Sequence, residues 1–247
     1  MEFQGTCAIV TGGSKGIGKA VAAKLHGQGA SLVLVGRGIE ALEQTAHLLG
    51  GNVAIVVGDV ADASTAQRAV DLAMLEFGGL HLLANIAGIF PTGLLQDITD
   101  TGYAATIAAN LTGTFMMCRA ALPVLRAGGG GSIVNMSSTA ARFPTPGLSV
   151  YSASKAGIEA FTRAIAAEAA PIIRVNAVSA GPTLTETVAD LMDADMTGAV
   201  AAVTGSIPLG RLGTVDEIAE AVIFLLSKRA SFITGQVLQA NGGGIMA

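Results

Sequence analysis

Seven short runs of aliphatic and β-branched residues, separated by longer stretches with helical spacing, set the tightest limit on how this chain can fold. TCAIVT, SLVLVG, NVAIVVGDV, HLLANIAG, GSIVNMSS, IRVNAVSAG and GQVLQANGG each carry glycine or polar residues at or near their ends. Several are apolar at consecutive positions, as strands covered on both faces must be. Between them, GIGKAVAAKLHGQG and TVDEIAEAVIFLLS place apolar residues at helical spacing, and the second opens on a capping box of Thr214 and Glu217. Strict alternation of strand and helix predicts an α/β chain: a doubly wound parallel sheet of about seven strands, flanked by helices on both faces. No linker, repeat or charge block divides the 247 residues, so one domain is expected. The GGGGS tract at 128–132 reads as a helix-to-strand loop. Residues 182–206 are the least strand-like and carry methionines, which suits a flap over a substrate.

Composition narrows the class of function. Charged residues make up 13% of the chain and hydrophobic ones 51%, enough for a large core and too apolar for disorder. A net charge of −4 offers no basic face for nucleic acid. Cys7 and Cys118 lie in apolar segments without metal-ligand spacing and read as reduced, buried thiols. His26, His47 and His81 are isolated, so no metal site is expected. The opening MEFQGTCAIVTGG lacks the basic and apolar regions of a signal peptide, and no apolar run reaches about 18 residues. A soluble, cytoplasmic protein without membrane contact is the expectation.

Directly after the first predicted strand comes TGGSKGIG, with Gly12, Gly16 and Gly18, and then an alanine-rich helix. Glycines here let the backbone turn tightly and let a pyrophosphate approach the helix-terminal N–H groups, helped by Ser14 and Ile17. At the first strand of a βαβ unit this pattern points to a Rossmann-type dinucleotide site. An NAD site carries an acidic residue near the end of its second strand. Here that end reads LVLVGRG, with Arg37 and no carboxylate before Glu40, and Lys15 adds a cation inside the loop. Two cations suit a 2′-phosphate, so NADP is expected in preference to NAD. Asp59 and Val60, ending the third strand, are placed to meet the adenine.

Tyr151 and Lys155 stand four residues apart in SVYSASKAG. On its own that pair could be an ordinary helical contact. Ser137 and Ser138 end a buried-type strand upstream, and Asn110 opens NLTGTFMMCRAAL. Together with TGGSKGIG, NIAG, NMSS, YSASK, RLGTVDEIAEAVIFLLS and ITGQVLQANGG, these residues make the whole chain resemble the short-chain dehydrogenase/reductase family. The resemblance implies a catalytic tetrad of Asn110, Ser138, Tyr151 and Lys155. Tyr151 would be the general acid in reduction and the base in oxidation, with its pKa lowered by the Lys155 ammonium and an oxidised nicotinamide. Ser138 would bind the substrate oxygen, Lys155 the nicotinamide ribose, and Asn110 would anchor a water leading to Lys155. Cofactor contacts would also come from Asn85, Ala87, Gly88, Gly181, Pro182, Thr183 and Thr185. Two positions depart from the family pattern. Ile86 replaces a second asparagine, so a backbone hydrogen bond there must be met otherwise. Ala180 replaces a proline, which is expected to loosen the following turn.

The predicted substrate pocket is apolar: Phe90, Phe143, Leu148, Leu184, Val188, Leu191, Met192 and Met196, with Arg142 the only group facing an anion. That lining suits a neutral, fairly hydrophobic ketone, aldehyde or secondary alcohol as the small-molecule partner. A 3-oxoacyl-[acyl-carrier-protein] reductase is the alternative within the family, but RAGGGGS offers little of the basic rim an acidic carrier protein would need. A non-catalytic dinucleotide sensor is the alternative outside enzymes. The resemblance further implies a homotetramer joined through two long helices, around 104–122 and 156–170, and the C-terminal strand.

Overall fold

The computed structural model describes residues 1–193 and 199–246, with side chains for 1–189 and 201–246. Seven strands form the sheet: β1 (Cys7–Thr11), β2 (Ser31–Gly36), β3 (Val53–Val57), β4 (Leu82–Asn85), β5 (Gly131–Ser138), β6 (Ile173–Ala180) and β7 (Val237–Ala240). All neighbours are parallel, in the order β3-β2-β1-β4-β5-β6-β7. This is the doubly wound Rossmann arrangement. Strands that read as continuous apolar runs alternate their side chains between two separate cores, because the pleat repeats every two residues. Ala8, Val10, Leu32 and Leu34 face one core with Val21 and Leu25 of α1 (Gly16–Gly27). Leu42 of α2 (Ile39–Leu49) and Ile218, Val222 and Ile223 of α9 (Val215–Leu226) complete that core. Cys7, Ile9, Val33 and Val35 face the other. There they meet α3 (Ala63–Phe77), α5 (Gly113–Ala127) and α6 (Ser149–Ala169) through Ala69, Val70, Met117, Cys118, Leu125 and Ile165. Truncating a fully buried leucine such as Leu25 or Leu125 to alanine would cost about 2–5 kcal/mol. Both thiols are buried, and that burial pushes Cys7 and Cys118 up to about 12.

The order reverses direction between β1 and β4, and a crevice opens there at the carboxyl ends of the strands. Thr11 lies level with Asn85, and Ser138 with Ala180, so the loops leaving β1, β4, β5 and β6 all emerge at this edge. The helix expected over 104–122 is broken. α4 (Asp100–Ile107) ends in a π turn, Ala108–Thr112, before α5 begins. The widened turn leaves the Asn110 carbonyl free to accept the Thr114 hydroxyl at 2.8 Å. The predicted capping box at Thr214 and Glu217 is present. Of the segment expected as a flap, Thr183–Leu184 pairs with Gly213–Thr214, and α7 (Glu186–Asp193) and α8 (Ala199–Ser206) follow. Residues 194–198 within it, including Met196, lie outside the described residues. No helix among the described residues is long and apolar enough to cross a membrane.

Candidate active site

The glycine loop folds as its spacing requires. Gly12 and Gly16 hold φ of 68° and 53°, in the left-handed region. A Cβ on Gly12 would lie 3.0 Å from the Ala87 Cα, and one on Gly18 would strike the Gly12 carbonyl. The cleft so formed is lined by Gly12, Ser14, Lys15, Gly16, Ile17 and Gly18, with Arg37, Asp59, Val60, Ala87, Gly88 and Thr185. No acidic residue occupies the first turn of α1, and Lys15 at its cap makes no side-chain cap bond. Six predicted cofactor residues do not line this cleft: Tyr151 and Lys155, described below, and Asn85, Gly181, Pro182 and Thr183, which have other partners. Asn85 is buried and donates to Asn135 Oδ1 at 2.9 Å and Cys118 Sγ at 3.3 Å, tying β4 to β5 and α5. Gly181 packs against Asn241, where a Cβ would come within 2.7 Å of the Asn241 Cα. The Thr183 hydroxyl is turned back to the Gly181 carbonyl at 2.8 Å. Pro182 lines a separate cavity with Ile207, Leu209 and Ile218.

The four tetrad positions converge at the mouth of the crevice. Ser138 is the last residue of β5, and Tyr151 and Lys155 stand one turn apart at the start of α6. The Ser138 hydroxyl lies near enough to the Tyr151 phenol to favour its ionised form. Burial pushes Tyr151 above the usual phenol value, and Ser138 only partly opposes it. Desolvation is the larger of the two effects. The Lys155 Nζ sits 5.7 Å from the Tyr151 ring centroid and donates to the Met136 carbonyl at 2.8 Å. It is only 4% exposed, and burial pulls it down to about 8.

Asn110 is fully buried and its side chain is hydrogen-bonded at both ends. Its Oδ1 accepts from Ile89 N at 2.8 Å, and its Nδ2 donates to Ile89 O at 3.1 Å and Ser154 Oγ at 3.0 Å. Ser154 in turn donates to the Tyr151 carbonyl at 2.7 Å. The side chain thus fastens the loop after β4 to α6. Gly88 is required beside it, since a Cβ there would lie 2.8 Å from Asn110 Oδ1 and 3.5 Å from Lys155 Nζ.

On the open side, Phe90 stands edge-on to the Tyr151 ring, with centroids 4.8 Å apart. Phe90, Phe143 and Leu184 are exposed, Val188 is half-buried, and Leu148 is buried at the start of α6. The loop carrying Phe90 meets the segment before Leu148 through Gly93 N and Gly147 O at 3.0 Å. The side chains of Leu191 and Met192 lie outside the described residues. Arg142, expected to face an anionic substrate group, instead directs its Nε to Glu159 Oε2 at 3.0 Å. Glu159 is 4% exposed and also accepts from Ser137 Oγ at 3.1 Å. A buried carboxylate demands donors, and these two meet the need.

Comparison with known proteins fits this geometry. The family model described as enoyl-(acyl carrier protein) reductase matches residues 12–244. D-threitol dehydrogenase of Mycolicibacterium smegmatis is 37% identical over 246 residues, 98% of this chain and 94% of its own. The 3-oxoacyl-[acyl-carrier-protein] reductase of Escherichia coli K12 is 34% identical over 247 residues, covering both chains fully. A solved short-chain dehydrogenase/reductase of the glucose/ribitol dehydrogenase type from Brucella melitensis superposes with a TM-score of 0.92 at 37% identity, over 100% of this chain and 99% of that one. This chain is a short-chain dehydrogenase/reductase. It is an oxidoreductase of the class acting on CH–OH or C=O groups.

Both departures from the family pattern find local solutions in this short-chain dehydrogenase/reductase. The N–H groups of Ile86 and Ala87 both donate to the Thr11 hydroxyl, at 2.9 and 3.0 Å. The turn after Ala180 is not loose. Gly181 N donates to Ala240 O at 2.9 Å and Gly213 N to Pro182 O at 3.0 Å. Sequence reasoning missed Glu159, Ser154, Met136 and Glu186, each of which touches the site. Ser154 and Met136 lie inside the motifs YSASK and NMSS, and Glu159 stands one helical turn beyond Lys155.

Proposed function

We propose that this enzyme is an NADP(H)-dependent carbonyl reductase and alcohol dehydrogenase, acting on a neutral, fairly hydrophobic ketone, aldehyde or secondary alcohol. The observation that carries the reading is the buried Lys155 ammonium 5.7 Å from the Tyr151 ring, with Ser138 beside that phenol and a cleft edged by Lys15 and Arg37. The residues present fit a dinucleotide: the tight turn that Gly12 and Gly18 make possible and the start of α1 border a cleft edged by Lys15 and Arg37. The loop and Thr185 would hold its pyrophosphate, Lys15 and Arg37 its 2′-phosphate, and Asp59 and Val60 its adenine. When bound, the nicotinamide supplies or accepts the hydride. Tyr151, kept neutral by burial, donates its proton to the carbonyl oxygen, and Ser138 steadies the charge that develops there. Lys155, drawn to about 8, is the neighbouring group able to move a proton near neutral pH.

The exposed Phe90, Phe143 and Leu184 favour an apolar substituent on the substrate. The oxoacyl reductase relatives support a second reading in which an acyl chain lies on the same surface. NADPH oxidation with a panel of aryl and alkyl ketones, polyol-derived ketoses and a 3-oxoacyl thioester separates these readings. Turnover confined to the thioester would overturn the first. Tight dinucleotide binding with no carbonyl turned over would instead mark a sensor.

A further inference from the structure

One contact in the cofactor cleft comes from outside the glycine loop. Glu186 opens α7, and its Oε1 accepts from the backbone N–H of Gly16, 170 residues earlier, at 3.4 Å. Its Oε2 would lie 3.5 Å from a Cβ built on Gly16, so both oxygens are at the start of α1. Thr185 sits against the same point, its Cγ2 3.7 Å from that Cβ. Glu186 and Thr187 line the cleft together with Ser14, Gly16, Arg37 and Asp59. A helix N-terminus with uncapped N–H groups and no acid in its first turn stabilises whatever anion reaches it. Here the anion is the protein's own carboxylate, carried by the segment that follows the Gly181 turn.

That is also where a pyrophosphate would seek its backbone donors. We propose that Glu186 is an internal stand-in for the phosphate and sets dinucleotide affinity: its carboxylate must leave the Gly16 N–H before a pyrophosphate can take that donor. The proposal rests on the dinucleotide reading of the cleft. Binding then carries two opposing contributions from one residue, the lost contact with α1 and the repulsion between a carboxylate and an incoming anion. Apparent affinity is lowered by the fraction of molecules in which Glu186 holds the site. The contact is exposed, so the effect is modest.

Titration calorimetry of Glu186→Gln and Glu186→Ala with NADP+ and with 2′-phospho-ADP-ribose tests this, with Glu168→Gln, an exposed glutamate on α6, as a control for net charge. Both Glu186 variants should bind each ligand about 3- to 10-fold more tightly than wild type, and the control should not. In the ligand-free protein the Gly16 amide resonance should move in Glu186→Gln. Equal or weaker binding in the Glu186 variants, or an unmoved Gly16 amide, overturns the proposal while leaving the dinucleotide reading standing. Failure of folded wild type and variants alike to bind NADP+ or NAD+ overturns both.

Discussion

Burying the Lys155 ammonium against the end of β5 has a cost that depends on pH. Burial pulls Lys155 down to about 8 in the folded protein, against about 10.4 for an exposed lysine. Below about pH 8 the lysine is charged in both folded and unfolded chains, and the native state bears the full desolvation cost. Above it the folded lysine gives up its proton while the unfolded one keeps it, so the unfolded state binds more protons and stability rises with pH. The gain continues until the unfolded lysine also titrates. At about 1.4 kcal/mol for each pKa unit, the wild type should gain about 2.5 kcal/mol relative to Lys155→Met between about pH 7 and about pH 10. Taking the difference between the two proteins removes the contribution of Cys7 and Cys118, whose raised values act in the opposite direction over the same alkaline range. Urea unfolding of both proteins across that range, followed by far-UV circular dichroism, measures the gap. Parallel curves, with a gap constant to about 0.5 kcal/mol, would show that Lys155 titrates as an exposed lysine does and would refute the argument.

Tyr151→Phe should lower turnover by at least about 100-fold while dinucleotide affinity stays within about 2-fold, as calorimetry and steady-state assays together would show. Arg37→Asp should swing the NADPH/NADH ratio of kcat/KM toward NADH by about 10- to 100-fold, and an unchanged ratio would remove Arg37 from phosphate recognition. Glu159→Ala removes one acceptor from each of Arg142 and Ser137 and should cost about 2 kcal/mol of stability by denaturant unfolding, with KM for the carbonyl raised more than that for the dinucleotide. Gly88→Ala should cost about 1–3 kcal/mol, because its Cβ would press on Asn110 Oδ1, and thermal unfolding reads the loss directly.

The strands were legible because each is a short apolar run between glycines, and SLVLVG and GSIVNMSS match β2 and β5 residue for residue. The cleft residues on the glycine loop were equally legible, since their backbone conformation demands glycine. Position was readable where chain order sets it. Direction was not. Nothing local in RFPTPGLS says that Arg142 turns inward, because its partner Glu159 lies on another element. The π turn at Asn110 likewise depends on Thr114, Ile89 and Ser154, which only the folded chain brings together. Tyr151 shows the same gap in electrostatics. Its neighbour Lys155 was readable at four residues' distance, but the desolvation that raises the phenol comes from packing.

The Asn110 side chain gives the molecule an uneven capacity to change. It knits the loop bearing Phe90 to the helix bearing Tyr151, so a substitution at 86–90 is felt at Tyr151. Residues 143–146 are exposed, and the far end of their segment meets the Phe90 loop through a single backbone bond at Gly147. A lineage, or an engineer, seeking a new substrate can therefore remodel 143–146 with the acid–base apparatus left as it is. New specificity is most accessible on that side of the crevice, and most disruptive on the other.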